Sequence, residues 1–156
     1  MATSRKALIQ ASLRDRIATV TSANGYDTDI QKVFMDEIPM GLDLDLYELP
    51  AALVISGKDT LTHQQGWLVG KWVIEVQLIH NGTVGDTIMN NAARDIAKAV
   101  YANSPTVRRA DAWRVFEGQP TAVWIREIQP DLNMIDANRF ICSTYEVEYH
   151  THPTDL

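Results

Sequence analysis

The chain has 156 residues and a mass of 17.5 kDa, which is the size of one domain with a substantial apolar core. Hydrophobic residues make up 46% and charged residues 22%, as in ordinary globular proteins, which argues against a mainly disordered chain. The net charge of −6 argues against an ordinary nucleic-acid-binding protein, and the lone Cys142 excludes an internal disulfide. Since no apolar run reaches the ~20 residues of a membrane-spanning helix, we expect a single soluble domain over residues 1–156.

The first predicted element is a helix over residues 4–23. Apolar side chains recur in it every three or four residues, the period of one helix face, while its arginines fall mostly off that stripe. Asn24 and Gly25 follow, and both tolerate the left-handed backbone that is common at helix C-termini. The apolar stripe consists of Ile9, Leu13, Ile17 and Val20.

A short strand with imperfect alternation is predicted within residues 26–35, and a strongly acidic stretch overlaps and follows it. Residues 27–48 hold seven acids and one lysine, a net charge of −6, whereas residues 1–26 hold four bases and one acid, a net charge of +3. Seven carboxylates are too many to bury without partners. We therefore expect an irregular segment at about 36–48 that is exposed or faces a partner.

These two oppositely charged segments form the candidate interface. A heterologous contact pairs two different patches of identical subunits and can close into a ring, so the basic helix of one copy could meet the acidic segment of the next. The candidate subunit or partner interface residues are Arg5, Arg14, Arg16, Asp36, Glu37, Asp43, Asp45 and Glu48.

The remainder of the chain predicts most of a sheet and a second helix. The longest strand alternates an apolar face with a mixed one, as expected for a sheet that helices cover on one side. The element order predicts an α+β domain, with a mostly antiparallel β-sheet and two helices packed on one face. The expected strands are 51–56, 66–80, 113–117, 121–128 and 139–150, and the helix spans about 83–100 with Thr83 as its N-cap.

No catalytic or metal site is predicted. His150 and His152 project to the same side of a strand, but two ligands do not complete a metal site, and solvated residues of a frayed tail are the preferred interpretation. Cys142 lies mid-strand with no histidine near it in sequence, which favours a buried or half-buried core residue over a nucleophile. The sequence has neither a nucleophile elbow nor a glycine-rich phosphate loop. We expect no enzymatic activity, no cofactor and no metal.

Several segments, taken in order, resemble the tail terminator proteins of long-tailed bacteriophages. They begin in the first helix and end in the last strand, and together they cover most of residues 8–150. The order of the segments carries the resemblance. The stretches are 13–17 (Leu-Arg-Asp-Arg-Ile), 23–26 (Ala-Asn-Gly-Tyr), 28–29 (Thr-Asp), 49–51 (Leu-Pro-Ala), 72–80, 95–99 (Asp-Ile-Ala-Lys-Ala) and 145–149 (Tyr-Glu-Val-Glu-Tyr).

The resemblance implies an α+β fold, a homohexameric ring and no enzymatic activity. Such a ring caps the tail tube, stops its polymerisation and joins the tail to the head–tail connector. The implied partners are other copies of the chain, the major tail tube protein, and the connector or stopper protein. The implied location is the head-proximal end of the virion tail, assembled in the host cytoplasm without a membrane. Genomic DNA passes through the lumen without specific binding, and an acidic stretch suits that passage because basic groups would bind phosphate.

Three other interpretations stay open from the sequence. The first is a head-completion or stopper ring of the phage neck, which would contact the portal side rather than the tube. The second is a small enzyme whose site is assembled from dispersed residues such as His80, Asp95 and Arg126. The third is a bacterial domain for ligand binding or secretion-tube assembly. A deep pocket with converging titratable groups would favour the enzyme.

Overall fold

The computed structural model describes residues 5–35, 49–101, 121–130 and 138–153. The acidic segment at 36–48 and the strand predicted at 113–117 lie outside these residues. The helices are α1 (Arg5–Ala18) and α2 (Asp86–Tyr101), and a 3-10 turn spans Ser22–Asn24. The strands are β1 (Lys32–Phe34), β2 (Ala51–Gln64), β3 (Trp67–Asn81), β4 (Thr121–Pro130) and β5 (Asn138–Thr151).

The strands form a five-stranded sheet in the order β1-β2-β3-β5-β4. β1 pairs with β2 in parallel, and all the other neighbours pair antiparallel. Both helices bury side chains in one cluster with a single face of this sheet. The predicted α+β class, with a mostly antiparallel sheet and two helices on one face, is confirmed. Neither helix in the described part of the chain is long and apolar enough to cross a membrane.

The apolar stripe of α1 packs against the middle of the sheet, as its period predicts. Leu13 is completely buried and belongs to the same cluster as Trp72 and Ile74 of β3. α2 faces this cluster with small residues such as Ala92 and Ala99, whose size lets the helix lie close to the sheet. Burial of this layer stabilises the fold by about 25 cal/mol for each Å² of apolar surface removed from water.

Both helices differ from the sequence prediction at one end. α1 ends at Ala18, earlier than expected, and Gly25 adopts the left-handed φ of 86° after the 3-10 turn that follows. α2 begins at Asp86 rather than near Thr83. The amide and hydroxyl of Thr83 instead donate to Oδ1 of Asn81, at 3.0 and 3.1 Å, so Thr83 stabilises a turn before the helix.

β2 extends well beyond its predicted end at residue 56. After a register shift between Ser56 and Asp59, it continues to pair with β3 as far as Gln64 opposite Trp67. The hairpin then closes through Gln65 and Gly66, whose φ values are 47° and 85°. Two positive φ values give the type I′ turn, which matches the twist of the flanking strands.

Candidate interaction surfaces

The predicted basic face of α1 contains arginines with different roles. The Arg14 side chain is 45% exposed, and its Nε donates to Oδ1 of the neighbouring Asp15 at 3.2 Å. Nη1 of Arg16 instead donates to the carbonyl oxygen of Val100 at 2.9 Å, in the last turn of α2. Arg16 thus satisfies a carbonyl at a helix end and complements the helix dipole there. Arg5 is the first residue of α1.

The acidic half of the predicted interface lies outside the described residues. The contact between a basic helix and an acidic segment of the next copy therefore stays a prediction. Of Arg14 and Arg16, Arg14 is the exposed residue that can test it, because Arg16 also connects the two helices. The acidic residues concerned are Asp36, Glu37, Asp43, Asp45 and Glu48.

The sheet face opposite the helices is rich in glutamate at its strand-paired positions. No described helix packs on this face, and a small apolar cluster covers only one end of it. Its paired positions on β3, β4 and β5 carry four glutamates and one lysine, Lys71. Lys58 and Arg126 lie at the two register shifts, outside the paired positions. We call this surface the open face. Its glutamates are Glu75, Glu127, Glu146 and Glu148.

A cleft of about 380 Å³ lies at the hairpin end of the open face. The indole of Trp67 is 49% exposed there and meets the imidazole of His152 edge-on, with ring centroids 5.8 Å apart. Nε2 of His150 lies 3.7 Å from a carboxylate oxygen of Glu148. The hairpin tip supplies two amide side chains to the same cleft. Its lining residues are Gln64, Gln65, Trp67, Val69 and His150.

A polar cluster of Tyr149, Asp59 and Lys6 lies between the start of α1 and the sheet. The Tyr149 hydroxyl donates to Oδ2 of Asp59 at 2.5 Å, and Nζ of Lys6 lies 3.1 Å from the same oxygen. Lys6 also lies over the ring of Trp72, 4.6 Å from its centroid. Burial is the main cause that raises the pKa of Tyr149 above its ordinary value, and the hydrogen bond to Asp59 and the negative charge of Asp59 raise it further. A phenol held in its protonated form has the properties of a structural donor rather than of a base.

A second buried carboxylate, Asp95 on α2, organises the segment after the 3-10 turn. Its side chain is completely buried; Oδ2 accepts the backbone N–H of Asp27 at 3.0 Å, and Nζ of Lys98 lies 3.6 Å from Oδ1. Arg94 reaches the Asp27 side chain at 3.1 Å. Asp27, which lies between two stretches of the phage resemblance, is thus in contact with a third stretch at Asp95. In this contact Asp95 has a structural role.

His80 and Asp95, two residues of the enzyme alternative, have ordinary local partners. Nδ1 of His80 accepts the N–H of Asn81 at 2.7 Å, and burial lowers the pKa of this imidazole from its ordinary value. Asp95 is bound to backbone, and Arg126 falls at the register shift of β4. Neither His80 nor Asp95 lines the cleft.

The two C-terminal histidines differ in position. His150 lies within β5, paired with Val69, so the expectation of a frayed tail is wrong for it. His152 follows the end of β5, is exposed as expected, and contacts the ring of Trp67 edge-on. Cys142 is half-buried on β5, as expected. Among the described residues, no three metal-binding side chains come together.

The sequence predicts a sheet face without helices, but the glutamates of that face and the cleft were missed, although each left a signal. In β5 the glutamates at 146 and 148 alternate with buried aromatic and aliphatic residues, which indicates two faces of different character. Gln65 and Gly66 lie between two runs that pair as strands, but glutamine is not a typical turn residue. The cleft depends on that turn and was therefore not predicted.

Comparison with known proteins gives a structural likeness but no match to a family model or a curated protein. A chain in a solved structure described as the virion of a native gene transfer agent particle has a similar fold at 14% sequence identity. The TM-score is 0.49, and the alignment covers 95% of this chain and 96% of that chain.

Proposed function

We propose that the chain is a structural virion protein that forms a ring at the head-proximal end of a long phage tail. The ring caps the tail tube, stops its polymerisation and joins the tail to the head–tail connector. The proposal rests first on the ordered resemblance of segments between residues 8 and 150. Within it, the segments around Asp27 and Asp95 are in contact, so they form part of one folded unit.

The observation that carries the DNA-channel part of the proposal is the open face. Its paired positions hold four glutamates against Lys71 and His150, while Lys58 and Arg126 lie at the two register shifts. A channel that passes DNA must not hold it, and carboxylates repel phosphates whereas lysine and arginine bind them. We therefore assign the open face to the lumen of the ring.

The sheet also offers two different edges for a heterologous contact between copies. Among the described strands, β1 covers β2 only at residues 51–53, and β4 has β5 as its single neighbour. β2 and β4 run in opposite directions, because each step of the order β2-β3-β5-β4 is antiparallel. Copies placed side by side around an axis can therefore continue the antiparallel sheet from β4 of one to β2 of the next.

Removal of the gene tests the proposal. Without the ring, tube growth has no terminator, so we expect tails of uncontrolled length that fail to join heads in electron micrographs. Complementation with the wild-type gene should restore uniform tails. Tails of normal length that fail to join heads would instead support a stopper protein of the neck, and normal particles would refute both assignments.

A further inference from the structure

The cleft at the hairpin tip has the features of a recognition site rather than of a packing defect. Its volume is about 380 Å³, and its lining includes Gln64 at the end of β2, Gln65 of the turn and His150 of β5. The type I′ turn fixes the backbone of Gln65, so the cleft wall is part of an ordered hairpin. Trp67, at its rim, leaves about half of its surface in water.

The exposed Trp67 has an aromatic neighbour. Its indole contacts the ring of His152 edge-on, at an interplanar angle of 88°, next to the cleft. Exposed tryptophans are typical anchors of protein interfaces, because they bury a large area at a small loss of side-chain entropy. The buried Val69 supplies an apolar surface beside it.

We propose that this cleft binds an arginine side chain of a protein partner. The indole is the aromatic ring that attracts a cation most strongly, and a guanidinium also stacks on it through its planar face. The amide oxygens of Gln64 and Gln65 are acceptors for its N–H groups, and arginine has donors only. The inference goes beyond the proposed function and is independent of the position of the chain in a particle.

Other occupants fit the cleft less well. A carboxylate or phosphate ligand would approach Glu148, which lies beside His150 on the open face, and the two negative charges would repel each other. An apolar side chain would remove the amides of Gln64 and Gln65 from water without giving them partners. Lysine has a compact, strongly hydrated charge and lacks the planar group that stacks on an indole.

The test uses the full-length protein and three small probes. These are the blocked amino acids N-acetyl-arginine methylamide, its neutral analogue with citrulline, and the lysine equivalent. Fluorine NMR of protein that contains fluorotryptophan gives one signal for each of the four tryptophans. The Trp67 signal is the one absent from the Trp67→Leu variant. The buried Trp72, whose Nε1 donates to Ser56, reports that the fold is intact.

Saturable displacement of the Trp67 signal by the arginine probe, with a dissociation constant of about 1–10 mM, is the expected result. By calorimetry, the citrulline and lysine probes should bind ~3–5-fold more weakly than the arginine probe. The Trp67→Leu substitution should weaken binding of the arginine probe by a similar factor. The matched control Thr60→Ala, on β2 outside the cleft, should bind as the wild type does. Equal binding of arginine and citrulline would overturn the proposal. So would arginine binding that Trp67→Leu leaves unchanged, or no saturable shift at Trp67.

Discussion

The hydroxyl of Tyr149 donates a 2.5 Å hydrogen bond to Oδ2 of Asp59, and this contact connects β5 to the far half of β2. Lys6 reaches the same oxygen from the first turn of α1. Lys6 of α1 and Tyr149 of β5, which are far apart in sequence, thus both contact the carboxylate of Asp59 on β2. The Tyr149 ring lies over Gly70 of β3, the strand between them.

Replacing Tyr149 by Phe should lower the free energy of unfolding by about 1–3 kcal/mol, because Asp59 loses a donor at a largely buried position. The difference should depend on pH. The raised pKa keeps Tyr149 protonated in the folded state above pH 10, while the unfolded chain ionises there, so its contribution is complete below pH 10 and is lost as the pH rises further. Urea unfolding across this range checks both points. Equal stability of the variant and the wild type at pH 7 would contradict the role of the hydroxyl.

Gly70→Ala should destabilise the protein by ~1–3 kcal/mol, since a Cβ at this position would lie 2.3 Å from ring atoms of Tyr149. The ring would have to move, and the hydrogen bond to Asp59 would be strained with it. In a Tyr149→Ala background the same substitution should cost much less. A double-mutant cycle measures the coupling. Additive effects would show that the close approach of ring and glycine is not the cause.

Asp95→Ala should free the segment around Asp27, because the Asp27 N–H loses its acceptor. We expect faster hydrogen exchange of that amide and a loss of about 1–3 kcal/mol in stability. Asp95→Asn is the matched control, since its side-chain oxygen still accepts the bond. The amide of Ser22, which donates to Asp29 at 2.6 Å, should change less. An unaltered exchange rate at Asp27 would contradict the assignment.

Charge reversal on α1 should separate an interface role from a structural one. Arg14→Glu should change the stability of the isolated protein by less than ~0.5 kcal/mol, because its ion pair with Asp15 is exposed. Arg16→Glu should cost ~1–3 kcal/mol, since it removes the bond to Val100 and places an acid at a helix C-terminus. If Arg14 contacts an acidic segment of the next copy, Arg14→Glu should impair particle assembly while the neutral Arg14→Gln impairs it less. Normal assembly of the Arg14→Glu variant would refute the predicted contact.

The regular apolar patterns of the chain were enough to predict its main elements. The stripe of α1 and the alternation of β3 each mark one buried face, so their packing against each other followed from period alone. The second half of β2 could not be predicted in this way. Gly57, Lys58 and Asp59 disfavour a strand locally, and the strand forms there because β3 pairs with it.

The surfaces were harder to predict than the core. Arg16 falls off the apolar stripe and was therefore assigned to a charged outer face, but its partner Val100 lies on another helix and has no signal near Arg16 in sequence. The cleft combines residues of the hairpin tip with His150 of β5, which meet only after the sheet has formed. Local patterns identify faces of elements, while sites such as these depend on register.

The central claim is tested most directly by a reconstruction of the assembled particle that contains this chain. The proposal predicts six copies in one ring at the head-proximal end of the tail tube, with Glu75, Glu146 and Glu148 of the open face towards the DNA channel. Density for the chain on the portal side of the connector, or its absence from the particle, would contradict the assignment.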